Sequence, residues 1–151
     1  MAEILQQREP DPVIQFSIFL DNKVGRLDEF LELLARHEIH IAALTVQDNT
    51  ESSILRLIVN YPDETRRLLR EHGHTFTTVR VVAVEIESPR RILSVTKALH
   101  QAEINIHYVY PFVCRPLDHG ALAISVEDND LAGTVLSSLG LKVLTQRDIA
   151  R

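Results

Sequence analysis

The apolar positions along this chain change period repeatedly over short distances. "VIQFSIFLDN", from Val13, is apolar-rich as a strand is, and it closes on Asp21-Asn22, residues suited to turns and helix caps. From Gly25, "GRLDEFLELLARH" places Leu27, Phe30, Leu31 and Leu34 at helical spacing, with Asp28, Glu29, Glu32 and Arg36 on the other side, which predicts an amphipathic helix. "HIAALTVQ" and "SILRLIVN", separated by "DNTES", predict a β-hairpin. "PDETRRLLREHG" has Pro62 at its start, acids in its first turn and Gly73 at its end, as a helix does, and "TFTTVRVV" follows as a strand.

Strand, helix, strand, strand, helix, strand is the ferredoxin-like order, and the text then runs through it again. "VVAVEIES" reads as a strand, "PRRILSVTKALHQA" as a helix, "INIHYVYPFV" and "GALAISVED" as strands, "NDLAGTVLSSLG" as a helix and "LKVLTQ" as a last strand. An offset of 65 residues carries Ile39-His40-Ile41 onto Ile104-Asn105-Ile106, and also Leu27, Phe30 and Leu34 onto Ile92, Val95 and Leu99. Further on the offset becomes 67, carrying Val59 onto Val126 and Gly73 onto Gly140, so two extra residues belong in the second hairpin. The expected fold is α+β: two ferredoxin-like βαββαβ modules in tandem, with antiparallel sheets and helices on one face. Residues 1–12 are expected to form a tail, 13–80 the first module and 81–151 the second.

Composition narrows the function. A chain of 151 residues, 45% of them hydrophobic, can bury a core. Sixteen Lys and Arg against 21 Asp and Glu leave a net charge of -5, which disfavours a nucleic-acid backbone as partner. The single cysteine, Cys114, excludes an internal disulfide framework and a thiolate zinc cluster, and suits a reducing cytosol. No stretch has the apolar length of a signal peptide or a membrane span, so a soluble cytoplasmic protein is expected.

The repeated unit resembles a tandem pair of ACT domains, the small-molecule-sensing modules of amino-acid metabolism, and more distantly the small regulatory subunits of acetolactate synthase. The family's signature is an Asn or Asp, a Pro-Gly pair and a Leu between first strand and first helix, then a hydrophobic-Asn-Ile phrase opening the second strand. Here it is split. "DNKVGRL" keeps Asn22, Gly25 and Leu27 but has Val24 at the proline position; "ESPRRIL" keeps Pro89 but has Arg90 for the glycine; "INI" stands at 104–106, whereas the first copy has His40.

The resemblance implies a ligand near Asp21, Asn22, Lys23, Val24, Gly25, Arg26, Leu27, His40 and Ile41 in the first copy, and near Ser88, Pro89, Arg90, Asn105 and Ile106 in the second. A turn ending in glycine lets backbone approach a ligand, and the N–H groups of the following helix attract a carboxylate, so Gly25 favours the first copy. Gly25 is also consistent with an ordinary turn, Asn105 with satisfying local backbone groups, and His40 with either task and with titration near neutral pH.

"HGH" at 72–74 and the set His100, His107, Cys114 and His119 raise metal binding, but Gly73 reads as a helix stop that makes His72 and His74 diverge. Tyr108 and Tyr110 share one strand face and His107, Val109 and Pro111 the other. No motif for an activated nucleophile, a phosphate loop or a metalloprotease helix is present. The expectation is a non-catalytic regulatory protein without cofactor or metal, binding an amino acid or related metabolite at ACT–ACT interfaces. It would form a homodimer and act on a metabolic enzyme partner, with no nucleic acid or membrane involved. The alternative is an oligomerisation module with degenerate pockets.

Overall fold

The computed structural model describes residues 11–150. On β1 (Val13–Asp21) strand alternation sends Phe16, Ile18 and Leu20 to one side, where they meet Phe30, Leu33 and Leu34 of α1 (Arg26–Arg36) and Leu68 and Leu69 of α2 (Pro62–Glu71). Leu55, Leu57 and Val59 of β3 (Ser52–Val59) join the same cluster. With β2 (Ile41–Asp48) outside β3, and β4 (Thr75–Ile86) on the other side of β1, the first module is complete. Of the expected tail, residues 1–10 lie outside the described residues.

The second module comprises the end of β4, α3 (Arg90–Gln101), β5 (Ile106–Pro111), β6 (Gly120–Val126) and α4 (Asn129–Ser138). Val82 and Val84 of β4, with Leu122, Ile124 and Val126 of β6, pack on Val95, Ala98 and Leu99 of α3 and on Ala132 and Leu136 of α4. The two modules form one antiparallel sheet in the order β2-β3-β1-β4-β6-β5, its helix-bearing face outward. β4 belongs to both. Its pairing with β1 ends at Val81 and its pairing with β6 begins at Val82, so the boundary drawn between 80 and 81 lies inside a strand. The sheet curls until its edge strands meet at an antiparallel bridge between Ala43 and Phe112.

The repeat is visible in the backbone. Just beyond both α1 and α3 stands a glutamate with positive φ, Glu38 (55°) and Glu103 (57°), and the next amide returns to the helix: Ile39 N–H to Leu34 O (3.0 Å), Ile104 N–H to Leu99 O (2.9 Å). Both second strands carry a bulge, at Ala42 and at His107. Ile41 pairs with Val59 as Ile106 pairs with Val126, and Val46 with Leu55 as Pro111 with Leu122, so the two extra residues lie in the second hairpin, as the offsets require.

The inner face of the curl holds a third core, built from Val13, Ala42, Ala43, Ile58, Val81, Ala83, Tyr110, Ala121 and Ala123. Alanines on facing strands let the two halves of the sheet approach. Gln15 is fully buried there and donates from Nε2 to Tyr108 Oη (2.6 Å), while Tyr110 Oη donates to Gln15 Oε1 (2.6 Å). Burial first, and the neighbouring Tyr108 second, push the Tyr110 phenol above its ordinary range, with Arg56 opposing them.

The expected last strand at "LKVLTQ" is corrected. Only its centre touches β4, through Glu85 N–H to Lys142 O (2.9 Å), Leu144 N–H to Ala83 O (2.8 Å) and one bridge between Val84 and Val143. The chain then leaves the sheet because Thr145 caps a short helix, α5 (Gln146–Ile149), in a reciprocal capping box with Asp148. Gln146, buried, donates from Nε2 to Val59 O (2.9 Å) and accepts from Ile14 N–H (3.2 Å), tying the C-terminal segment to the first module.

Removing the Tyr110 hydroxyl should leave Gln15 Oε1 without its donor inside the inter-module core. Tyr110→Phe is expected to lower unfolding free energy by about 1–2 kcal/mol, measured by urea denaturation followed by far-UV circular dichroism.

Candidate functional site

The first β–α loop is folded by its own backbone. Lys23 N–H bonds Asp21 O (2.8 Å), Arg26 N–H bonds Lys23 O (3.2 Å), and Glu29 N–H bonds Gly25 O (2.9 Å). Gly25 occupies the N-cap position with φ 86°, the left-handed conformation that accounts for glycine, while a Cβ there would meet nothing within 4 Å. Asp21 through Leu27 are all exposed, Val24 completely, and Arg26 pairs with Glu29 (3.5 Å) in solvent. His40 and Ile41 lie elsewhere. Asp21 and Asp48 both sit beside the start of β3, whereas Ile41 pairs with Val59 at its end, so the two parts of the first-copy candidate occupy opposite ends of the sheet. His40 is exposed and held by its backbone: its N–H donates to Oδ1 of buried Asn60 (2.8 Å), and its carbonyl accepts from Asn60 N–H (3.1 Å).

The second β–α loop stands beside a groove of about 320 Å³. Ser88 and Pro89 form part of its rim, with Ile86 and Glu87 before them and Ile92 on α3 after. The opposite side is the enlarged hairpin between β5 and β6, contributing Pro111, Phe112, Arg115, Asp118 and His119, with Ala121 and Leu122 from β6. Apolar walls therefore carry charges of both signs, Glu87 and Asp118 acidic and Arg115 basic, with the His119 imidazole beside them. Arg90 is exposed at the start of α3 and does not line the groove. Asn105 and Ile106 are at the far end of β5 from Pro111; Ile106 packs against the second core, and the Asn105 carbonyl accepts from Glu127 N–H (3.1 Å).

Of the hairpin wall the sequence singles out only Pro111, for its strand face, and His119, as a metal candidate, and neither as a ligand contact. The signal for the wall was the change of offset from 65 to 67, which marks an enlarged loop without saying where that loop points. It points to the first module: Val113 N–H and Cys114 N–H both reach Ala42 O (2.8 and 3.3 Å). Leu117 (φ 55°) and Asp118 (φ 70°) are consecutive left-handed residues without glycine, a strained backbone held by buried Pro116 and by Leu117 against the inner core.

The histidines separate as expected. The His72 ring faces His37 (6.4 Å between centroids), whereas His74 meets the edge of Phe30 (5.2 Å). Among the described residues no group of three His, Cys, Asp or Glu side chains is placed to hold a metal ion, and no helix is long and apolar enough to cross a membrane. Cys114 is free at the surface, with its thiol shielded enough that lost hydration raises its pKa.

The family model for the ACT domain pair matches residues 12–151. The chain belongs to that family. ACT domain pairs are regulatory modules. A crystal structure of a protein from Bacteroides thetaiotaomicron superposes with TM-score 0.83 at 29% identity, covering 93% of this chain and 97% of its own. The ligand-free regulatory subunit of aspartate kinase from Thermus thermophilus shares the fold, with TM-score 0.60, 12% identity and coverage of 86% and 91%. The structure of aspartokinase alpha and beta subunits does so with TM-score 0.56, 15% identity and coverage of 85% and 92%. No curated protein matches the sequence.

His74 supplies a test of the pair's pH response. Burial, and secondarily His72, lower its pKa from 6.5, so the unfolded chain binds a proton at a pH where the folded one does not. Stability should be undiminished above about pH 6.5 and fall as pH drops from there through the folded-state value. His74→Phe should flatten that segment of a plot of urea midpoint against pH; an unchanged slope would assign the dependence elsewhere.

Proposed function

We propose that this ACT domain pair is a regulatory protein that binds an amino acid or closely related zwitterion in the groove of its second module, and conveys occupancy to a metabolic enzyme partner. The observation that carries the reading is the groove itself. Arg115 and His119 suit a carboxylate, Glu87 and Asp118 an ammonium group, and Ile86, Ile92, Phe112 and Leu122 an aliphatic body. Binding rather than catalysis is the proposed use, in the cytosol and without a cofactor.

The hairpin that walls the groove is also bonded to Ala42 of the first module, so a ligand that fixes it would bias the arrangement of the pair. The fold shared with the regulatory subunit of aspartate kinase from Thermus thermophilus supports an enzyme as partner. A second reading, assembly without ligand, is favoured by the apolar exposure around the first loop, where Val24 is fully exposed and Phe19 and Leu27 are about two-fifths exposed. In both readings that loop is the proposed contact with a second copy, giving a homodimer, and a site completed there would use Asn22 to Leu27.

A thermal-shift screen against the twenty amino acids at millimolar concentration separates these readings. One ligand should raise the melting temperature by on the order of 5–10 °C at hundredfold excess over Kd. Arg115→Glu should abolish the shift. Gly25→Arg should retain it while costing about 1 kcal/mol of stability from the left-handed backbone. The reverse pattern would move the site to the first loop. No shift for any amino acid, with a dimer that dissociates on Val24→Asp, would establish assembly alone.

A further inference from the structure

The groove of the second module holds more acid than a simple zwitterion uses. Glu87 and Asp118 line it with a single guanidinium, Arg115, so two negative charges stand against one positive, with the His119 imidazole beside them. The ion pairs among the described residues are Arg26–Glu29, Arg66–Asp63 and Arg80–Asp130, and none of the three groove charges takes part in one. Arg90 and Arg91, at the start of α3, do not line the groove and leave its excess of acid in place.

The charges are divided between the two sides. Arg115 and Asp118 are three residues apart on the hairpin wall, whereas Glu87 belongs to the β–α rim opposite. The hairpin wall has a fixed position, because Pro116 is buried, Leu117 packs against the inner core, and Asp118 is held at a φ of 70°. A guanidinium and a carboxylate so close together on one wall match the α-carboxylate and α-ammonium groups of one amino acid. That leaves Glu87 across an apolar floor of Ile86, Ile92, Phe112 and Leu122. A neutral side chain laid over this floor would take water from the Glu87 carboxylate and return no partner to it. An apolar stem ending in a cation complements both the floor and the carboxylate.

We propose that the groove selects an amino acid with a second cation at the end of its side chain, the class of lysine and ornithine, and that Glu87 is the residue that determines this specificity. The inference rests on the groove being the amino-acid site and adds the class of ligand. Arg115 takes the α-carboxylate, Asp118 the α-ammonium group, and the methylene stem lies on Ile86, Ile92, Phe112 and Leu122 with its terminal cation at Glu87. Acidic amino acids are rejected, since their second carboxylate would meet Glu87. A volume of about 320 Å³ suits a ligand as small as one amino acid.

Calorimetric titration of the full-length protein with lysine, norleucine and glutamate tests this, because norleucine keeps the straight stem and lacks the terminal ammonium group. Lysine should bind roughly fivefold or more tightly than norleucine, and glutamate should not bind. Glu87→Gln should bring lysine to the affinity of norleucine and leave norleucine unchanged, whereas Arg115→Glu should abolish binding of both. Glu87 is exposed and outside every ion pair among the described residues, so the variant should keep the melting temperature of the unliganded protein, which checks its folding. Norleucine binding as tightly as lysine, through Arg115, overturns the proposal and keeps the groove as an amino-acid site. A preference for lysine that survives Glu87→Gln undiminished overturns it as well. No binding by any of the three, while another amino acid binds and withstands Arg115→Glu, removes the site from the groove and this inference with it.

Discussion

Strand β4 is a ladder partner of both modules, and most of the architecture follows from that sharing. A twelve-residue strand that pairs with β1 over its first part and with β6 over its second leaves the modules no linker about which to turn. Strand twist carries the helix-bearing faces outward and brings the inner faces together. The inner faces then need small residues to close, and Ala42, Ala43, Ala83, Ala121 and Ala123 provide them. A larger side chain at any of these positions would act on two modules at once, because the backbone has no freedom to separate them.

Polar groups in that closed space are correspondingly constrained. Gln15 uses both ends of its amide on two tyrosines from the other module, and each bond replaces one that water would have made. The C-terminal segment does the same with Gln146, whose amide joins the end of β3 to the start of β1. Neither glutamine contributes much apolar burial. Their effect is on which arrangement of the modules is satisfied, since a shift of one strand relative to the other would leave buried donors and acceptors without partners.

Much of this was legible in the chain because the repeat doubles every signal. The helix faces at Phe30 and Leu34 and at Val95 and Leu99, the helix stops at Gly73 and Gly140, and the hairpin enlargement all follow from local pattern and are present, whereas Leu27 and Ile92, expected on those faces, are exposed in the first helical turn, and Leu33 is buried in α1. "LKVLTQ" has the apolar alternation of a strand, but Thr145 and Asp148 form a capping box that turns its end into a helix. The candidate site was harder to read. Asn22 to Leu27 and His40 are close in the sequence pattern but stand at opposite ends of their sheet. Arg115, Asp118 and His119 come to Ser88 and Pro89 only through the path of a strained loop. Side-chain types in a loop say nothing of that path.

The matched bulges at Ala42 and His107 have different fates. The Ala42 carbonyl receives two amides from the long hairpin of the second module, while His107, at the corresponding place, is exposed and the hairpin between β2 and β3 is short. The contact therefore runs one way, from the later copy onto the earlier. What began as two like halves has acquired polarity: transposing their order would place the short hairpin where the long one has to reach, and the orphaned bulge would face water.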